Sequence, residues 1–360
     1  MEEVIANTNS GSYKIQIGNQ ALLKSKELKD IIAEGEVKAL MLSNYLYDLH
    51  YEYLGDVLAM HPNRAMFLVQ DSEENKNYEY AGTFLQKFAD VGLERKSCVW
   101  AIGGGVIGDF AGYCAALYMR GIPVVQCPTT LLAMVDASIG GKVAVNLGKG
   151  KNMAGAFHMP TLVVADLFFL QTLGQEEIKC GLAEILKHGL LGDKPTLDIL
   201  QKENITSVQR EEVLSRLIYH SASFKADIVS RDETEIGLRA ILNLGHTVAH
   251  GIESALEYKG VTHGEAVAIG LLAESRMSAR MGLLPKEDLQ TTEDLLNKYK
   301  LVNLNIKLDG ETVIRHMGFD KKNRDGAMRF ALLKKIWEPV YDAVVPDEII
   351  RVEIENIFKA

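Results

Sequence analysis

Cysteine is scarce. The four residues Cys98, Cys114, Cys127 and Cys180 carry no C-x-x-C spacing, and three of them fall inside apolar strand or helix patterns. That argues against a disulfide frame or a cysteine zinc site, and points to buried thiols in a reducing compartment. No apolar run reaches the roughly 20 residues needed to cross a bilayer, and Met1-Glu2-Glu3 is the opposite of a basic signal-peptide start. A cytoplasmic protein without a membrane span is expected. Positive charge is also in deficit: the net charge of -9 argues against a nucleic-acid surface as the main partner. A small anionic ligand would therefore have to be drawn by a local cluster of lysines and arginines working against the overall field. Internal repeats, low-complexity segments and disordered linkers are absent from the sequence as well.

What is present fits about two domains. At 360 residues the chain exceeds one ordinary core, and 47% hydrophobic with 24% charged residues is a common globular balance. Strand-like runs at 13–17, 37–42, 65–69, 97–102, 123–127 and 161–166 alternate with helix-like segments at 19–33, 45–60, 78–91 and 109–119. Such alternation predicts a mostly parallel, Rossmann-like α/β domain over residues 1–170, its sheet covered on both faces. Beyond about 170 the texture changes. Thr172-Leu-Gly-Gln175 has the form of a capping box, and helical periods dominate to about His316. This predicts a second, mainly α-helical domain over residues 171–360, with brief extended stretches at 329–333 and 341–345 before a helix from Asp347.

The densest signal is the run 102–152, with three glycine clusters, two of them followed by lysine. Gly103, Gly105 and Gly108 satisfy G-x-G-x-x-G between a strand and a helix, the setting of a pyrophosphate-binding turn. Glycine lets the backbone approach the phosphates, and the first N–H groups of the helix favour negative charge. A tight strand-to-helix turn accounts for the same residues without a ligand. The following strand, 122–127, has no acidic residue to hold a ribose, so a dinucleotide would need that group from elsewhere. Lys142 in IGGK, and Lys149 and Lys151 in GKGKN, also follow glycine turns, where an ammonium and backbone N–H groups can share a phosphate or carboxylate. For Lys149 a solvated loop is the simpler reading. Glu73 and Lys76 read as first-turn charges of the next helix.

In the helical half, Asn243-Leu-Gly-His246-Thr-Val-Ala-His250 places two histidines on one helical face. Thr262-His-Gly-Glu265 is a second capping-box pattern, which puts His263 in a first turn. Glu184, in GLAEILKHG, has Lys187 and His188 at i+3 and i+4. Two or three imidazoles and a carboxylate suit Zn²⁺ or a similar divalent ion with an open position. Each histidine alone is more simply read as a helix-surface or core hydrogen-bonding residue than as a ligand. Spacing leaves open which of the three is not a ligand, and it does not bring Glu184 to them.

The segments GGGVIGD, MRGIP, PTTLLAMVDASIGGK, GKN, AEILKHG, GLRAILNLGHT, HGEAVAIG and DKK, in that order over about residues 70–330, resemble the 3-dehydroquinate synthase family of the shikimate route. The resemblance implies a dehydroquinate synthase-like fold: an N-terminal NAD-binding α/β domain, a C-terminal α-helical metal domain, an active site between them, and a homodimer. It implies Glu184, His246 and His263 as ligands of Zn²⁺ or Co²⁺, which leaves His250 among the substrate contacts. Asp136, Lys187 and Asn243 would face substrate hydroxyls and act in catalysis with Lys142 and His250. Lys225 and Arg239 would meet the substrate carboxylate, and Lys142, Asn152 and Lys321 or Lys322 its phosphate. Arg120 resembles an arginine that reaches a phosphate pocket across the dimer. The implied NAD contacts are Gly104, Gly105, Val106, Asp109, Thr129, Thr130, Lys142 and Lys151, with Glu73 and Lys76 supplying the missing ribose acid. Departures from the family pattern are Ser72 for a common glycine, Ser43-Asn44 without an early aspartate, and Val248-Ala249 for a frequent Phe-Gly. They bear on adenosine contacts and fine substrate geometry.

The implied reaction turns 3-deoxy-D-arabino-heptulosonate 7-phosphate into 3-dehydroquinate and phosphate. Transient oxidation by NAD⁺, phosphate elimination, return of hydride, ring opening and intramolecular aldol closure follow one another, so NAD is regenerated within a turnover. Three other readings compete. A metal-dependent polyol dehydrogenase needs no phosphate pocket, and IGGK and GKN count against it. A cyclase of the 2-deoxy-scyllo-inosose synthase type is nearer, though VDASIGGK and NLGHT favour dehydroquinate formation. A non-catalytic NAD sensor would not need Glu184 together with three histidines.

Overall fold

The computed structural model describes residues 1–62, 64–148, 150–304, 306–318 and 327–358. The chain divides into two compact units, one of Met1–Leu173 with Lys225–Glu233, the other of Gly174–Phe224 with Thr234–Ala360. The return of a short segment to the first unit is not visible in a linear reading with one boundary near 170.

The first unit contains strands β1 (Glu2–Thr8), β2 (Gly11–Gly18), β3 (Val37–Ser43), β4 (Ala65–Val69), β5 (Cys98–Gly103), β6 (Val124–Pro128), β7 (Lys142–Leu147), β8 (Gly150–Phe157) and β9 (Leu162–Asp166). Seven of them form one sheet in the order β1-β2-β9-β6-β5-β3-β4, and β7 with β8 makes a separate hairpin. Every pairing in the large sheet is parallel except β1 with β2. The parallel strands are covered on both sides, and their residues alternate between two cores. Leu40, Leu42, Trp100, Ile102 and Val164 pack with Leu28, Leu54 and Phe169 on one face. On the other, Met41, Val99, Ala101 and Val124 pack with Phe84, Phe88 and Phe110. Each such fully buried side chain contributes about 1.5–3 kcal/mol.

The chain order reverses between β3 and β5: β4 lies beyond β3, whereas β6 and β9 lie on the other side of β5. Ligands of open α/β sheets bind at the carboxyl ends of strands beside such a reversal, which is where the glycine turn after β5 stands.

Several expected elements differ in extent. The helix after the glycine turn is Gly105–Leu117, so Asp109 lies one turn inside it; the low helix propensity of Gly105 and Gly108 hid the start. The segment 19–33 is two helices because Ser25 interrupts it: its hydroxyl accepts from Leu28 N at 3.0 Å and donates to Gln16 Oε1 at 2.6 Å. The segment 45–60 breaks likewise at His50. The capping box expected at Thr172 is not formed. Gly174 precedes the helix Gln175–Leu191 without a side-chain cap, while the Thr172 hydroxyl pairs with His50 Nε2 at 2.9 Å. Strand β1 and the β7–β8 hairpin were not anticipated. The first is an edge strand with only Val4 and Ala6 buried, and the second is glycine-rich.

The second unit is mainly helical. Its described elements include Gln175–Leu191, Lys194–Lys202, His246–Ala255, His263–Arg280, Lys286–Lys298, Gly310–Met317 and Asp347–Phe358, with the expected extended stretches forming an antiparallel pair, Arg329–Lys335 and Glu338–Val344. Among the described residues no helix is long and apolar enough to cross a membrane.

Candidate active site

In the second unit three elements converge on one point. Glu184 lies in the third turn of Gln175–Leu191, a helix buried over most of its length, and is itself sealed from solvent. His246 opens the helix His246–Ala255, and His263 opens His263–Arg280, which carries the expected Thr262–Glu265 capping box. Glycine makes the approach possible. A Cβ at Gly270 would stand 1.8 Å from Gly245 O, and one at Gly264 would stand 2.2 Å from the Cα of Cys180, one turn before Glu184. Gly245 itself has φ 82°, a left-handed conformation that favours glycine.

One ligand atom from each of Glu184, His246 and His263 lies within 4.8 Å of the others. Glu184 Oε1 is 3.6 Å from His246 Nε2 and 3.7 Å from His263 Nε2. Both separations exceed a hydrogen bond. Donors sharing a tetrahedral cation at bonds of about 2.1 Å sit about 3.4 Å apart, close to what is found. The opposite ring nitrogens are engaged: His246 Nδ1 is 3.2 Å from Leu244 O, and His263 Nδ1 is 3.2 Å from Glu253 Oε1. A carbonyl and a carboxylate accept, so each imidazole keeps its proton on Nδ1 and turns an Nε2 lone pair to Glu184. Glu184 Oε1 is buried and receives no hydrogen bond among the described residues. Lone pairs of two imidazoles and an orphaned carboxylate oxygen facing one point fit a divalent cation such as Zn²⁺ or Co²⁺. Lys187 forms an ion pair with Glu184 from the next turn, and both are buried.

His250 follows His246 by one turn, the rings 5.6 Å apart and perpendicular, and is not part of the three-donor group. Asn243 ends the turn Leu238–Asn243, which also holds the buried Arg239; its amide donates to Glu235 Oε1 at 2.7 Å.

In the first unit, Gly104 precedes the helix Gly105–Leu117 and offers no side chain to cap its first N–H groups. A Cβ at Gly104 would meet Thr130 Cγ2 at 3.1 Å, and Thr129 N donates to Gly103 O at 3.0 Å, so the loop after β6 lies across the turn. Gly103 is demanded by packing, since an added Cβ would meet Ile107 Cβ at 2.5 Å, whereas one at Gly108 would meet the movable end of a side chain, Gln126 Oε1 at 2.8 Å. Val106 stands half-buried in the first turn.

Glu73 and Lys76 are not first-turn charges of the following helix, which Asn77 caps. Lys76, nearly buried, reaches Asp109 Oδ2 at 2.5 Å and Asn152 Oδ1 at 2.7 Å. Glu73 accepts from the Asn146 amide at 3.0 Å and lies 3.6 Å from Lys151. Burial raises the Asp109 carboxyl above its ordinary pKa, against the pull of Lys76. At Glu73 burial acts upward too, but Lys76, Lys151 and Asn146 together outweigh it and hold that carboxyl below its usual range. Asn146 binds this cluster, its Oδ1 accepting from Asn152 N at 2.9 Å, and sequence reasoning missed it. The hairpin it belongs to was not anticipated.

Asp136 takes the Lys225 ammonium at 2.5 Å on Oδ1 and 2.7 Å on its carbonyl. Lys142 is exposed at the start of β7, after Gly140 (φ 94°) and Gly141 (φ 64°). Arg120 is exposed and not part of the Lys76 cluster; it lies in a run of left-handed conformations, Met119, Arg120 and Gly121 at φ 50°, 70° and 112°. Lys149, Lys321 and Lys322 lie outside the described residues. Glu235, Glu253 and Glu274 were likewise missed. The signal for two of them was helical spacing: Glu253 falls two turns after His246 and Glu274 three turns after His263.

The family model described as 3-dehydroquinate synthase N-terminal matches residues 66–180, and its C-terminal counterpart matches residues 181–323. A 3-dehydroquinate synthase of Leptospira interrogans is 39% identical over 357 residues, covering 99% of this chain and 98% of that one. Among solved structures, a 2-deoxy-scyllo-inosose synthase complexed with carbaglucose-6-phosphate, NAD⁺ and Co²⁺ aligns with TM-score 0.85 and 26% identity over 99% of this chain and 100% of that one. A 2-epi-5-epi-valiolone synthase from Streptomyces hygroscopicus, with NAD⁺ and Zn²⁺ bound, aligns with TM-score 0.86 and 26% identity over 96% and 97%. With both halves matched by one family's models and full-length relatives near 40% identity, the chain belongs to the 3-dehydroquinate synthase family.

Proposed function

We propose that this enzyme converts 3-deoxy-D-arabino-heptulosonate 7-phosphate to 3-dehydroquinate and phosphate, as a cytoplasmic homodimer using NAD and a Zn²⁺ or Co²⁺ ion. The observation that carries the proposal is the buried Glu184 Oε1, without a hydrogen-bond donor among the described residues, faced by His246 Nε2 at 3.6 Å and His263 Nε2 at 3.7 Å. These three would hold the cation, while the helix start at Gly104, Gly105 and Val106, the loop of Thr129 and Thr130, and Glu73, Lys76, Asp109, Lys142 and Lys151 would hold the dinucleotide. When bound, the pair supplies Lewis acidity at vicinal hydroxyls and a reversible hydride acceptor.

The chain's own part is placement and charge. Lys225 and Arg239 would take the substrate carboxylate; Lys142, Asn152 and Lys322 would take the phosphate, with Arg120 contributed by the other subunit. The left-handed run at Met119–Gly121 supports that last role, because backbone strain concentrates where a side chain must be presented. Fixing both anionic ends holds the reacting carbon in place and removes much of the entropic part of the barrier. Asp136, Lys187, Asn243 and His250 would hold the hydroxyls and move their protons. Two of these already bear opposite charges at short range: Lys187 on Glu184, and Asp136 on Lys225.

The test is phosphate release from the heptulosonate phosphate, with and without NAD⁺ and a chelator, with the carbocycle identified. Dehydroquinate formation dependent on both additions is expected. Another carbocycle would favour a different cyclase, and stoichiometric NADH would favour a polyol dehydrogenase.

A further inference from the structure

We infer that Glu253 and Glu274 are positioning residues for the cation site, each reaching from one histidine-bearing helix to fix the histidine of the other. The inference rests on the metal reading above and deepens it.

Glu253 lies two turns along the helix that His246 opens and is 4% exposed. Its Oε1 is 3.2 Å from Nδ1 of His263, which belongs to the next helix. Glu274 lies three turns along the His263 helix and is fully buried. Its Oε2 accepts from Gly245 N at 2.6 Å, and its Oε1 accepts from Val248 N at 3.3 Å. These two N–H groups flank His246. The helix His246–Ala255 has no cap from its own preceding residue, Gly245, which is left-handed and has no side chain to offer. Glu274 thus does from a neighbouring helix what a serine or aspartate does locally elsewhere.

A buried carboxylate is costly unless its charge is met by well-placed donors, and each of these meets a donor on or beside a histidine. Glu253 sets which ring nitrogen of His263 keeps the proton and so turns Nε2 toward Glu184. Glu274 sets the backbone from which His246 projects. Because each carboxylate rides on the helix of the opposite histidine, a displacement of either helix moves both Nε2 atoms relative to Glu184.

The test uses apo full-length protein titrated with Co²⁺, reading affinity and the visible ligand-field spectrum, for wild type, Glu253→Ala, Glu253→Gln, Glu274→Gln and Glu184→Ala. Spectra are taken at a temperature where circular dichroism shows each variant folded, so that loss of fold is not counted as loss of positioning. Glu253→Ala is expected to bind Co²⁺ about 10- to 100-fold more weakly, with a shifted spectrum. Glu253→Gln, whose carbonyl still accepts from Nδ1, should recover most of that affinity. Glu274→Gln, left with one acceptor for two N–H groups, should weaken binding and shift the spectrum. Wild-type affinity and spectrum in Glu253→Ala or Glu274→Gln, with Co²⁺ lost in Glu184→Ala, would overturn this inference and leave the metal reading standing. Wild-type Co²⁺ binding by Glu184→Ala would overturn both.

Discussion

Glu184 Oε1 stands 3.6 Å from Nε2 of His246 in a place where the carboxylate has no access to solvent, and no described residue donates a hydrogen bond to it. Lys187 neutralises the other side of the same carboxylate. The chain thus carries a buried negative charge compensated on one side and aimed, on the other, at two imidazole lone pairs.

Removing that charge should therefore act twice. Glu184→Ala and His263→Ala are both expected to lose bound zinc and turnover. Glu184→Ala should also be destabilised by about 3–5 kcal/mol, because Lys187 is left buried without its partner. Elemental analysis and denaturant unfolding of the purified variants read the two effects separately, and full zinc stoichiometry in Glu184→Ala would contradict the ligand assignment.

Gly270→Ala is a test of the packing that brings the histidines together. Its Cβ would lie 1.8 Å from Gly245 O, so the helix must shift, at a cost of at least about 1–3 kcal/mol. Weaker Co²⁺ binding is expected with it. Gly55→Ala, in a helix where a Cβ meets nothing within 4 Å, serves as the reference and should stabilise by about 0.5–1 kcal/mol. Paired thermal melts decide the matter.

Asn146→Ala removes an amide that donates to Glu73 and accepts from Asn152. A hydrogen bond to a charged group is worth about 1.5–3 kcal/mol, so the dissociation constant for NAD⁺ should rise about tenfold or more. Lys142→Ala should instead raise KM for the sugar phosphate. Zinc content should stay at the wild-type level in both, measured beside calorimetric NAD⁺ binding.

All four cysteines are free and buried. Burial pushes the thiols of Cys98 and Cys180 up to about 12, and those of Cys114 and Cys127 higher still. A thiol-directed disulfide reagent at pH 8 should titrate none of them within minutes in the native enzyme and all four in denaturant. Rapid native labelling would show that one of these segments opens readily.

How much of this was legible beforehand varies with the range of the interaction. The strands β3, β5, β6 and β9 were visible because they are buried on both faces and read as continuous apolar runs. Strand β1 was not, since an edge strand shows only half of that pattern. Ser25 and Thr172 show the limit of local rules. Each has a hydroxyl able to cap a helix, but Gln16 and Leu28 recruit the first into a cap while His50 takes the second away from one.

The same division runs through the site. The glycine turn, the His246–His250 spacing and the Thr262 capping box are local features, determined by a few consecutive residues and their backbone preferences. That Glu184 meets His246 and His263, that Lys76 crosses to Asp109 and Asn152, and that Glu253 and Glu274 brace the two histidine helices was decided by tertiary packing alone. Those contacts join residues from about ten to nearly eighty positions apart in the chain, and no sequence spacing encodes them. In the second unit the histidine helices approach as closely as they do because Gly245, Gly264 and Gly270 carry no Cβ to keep the backbones apart.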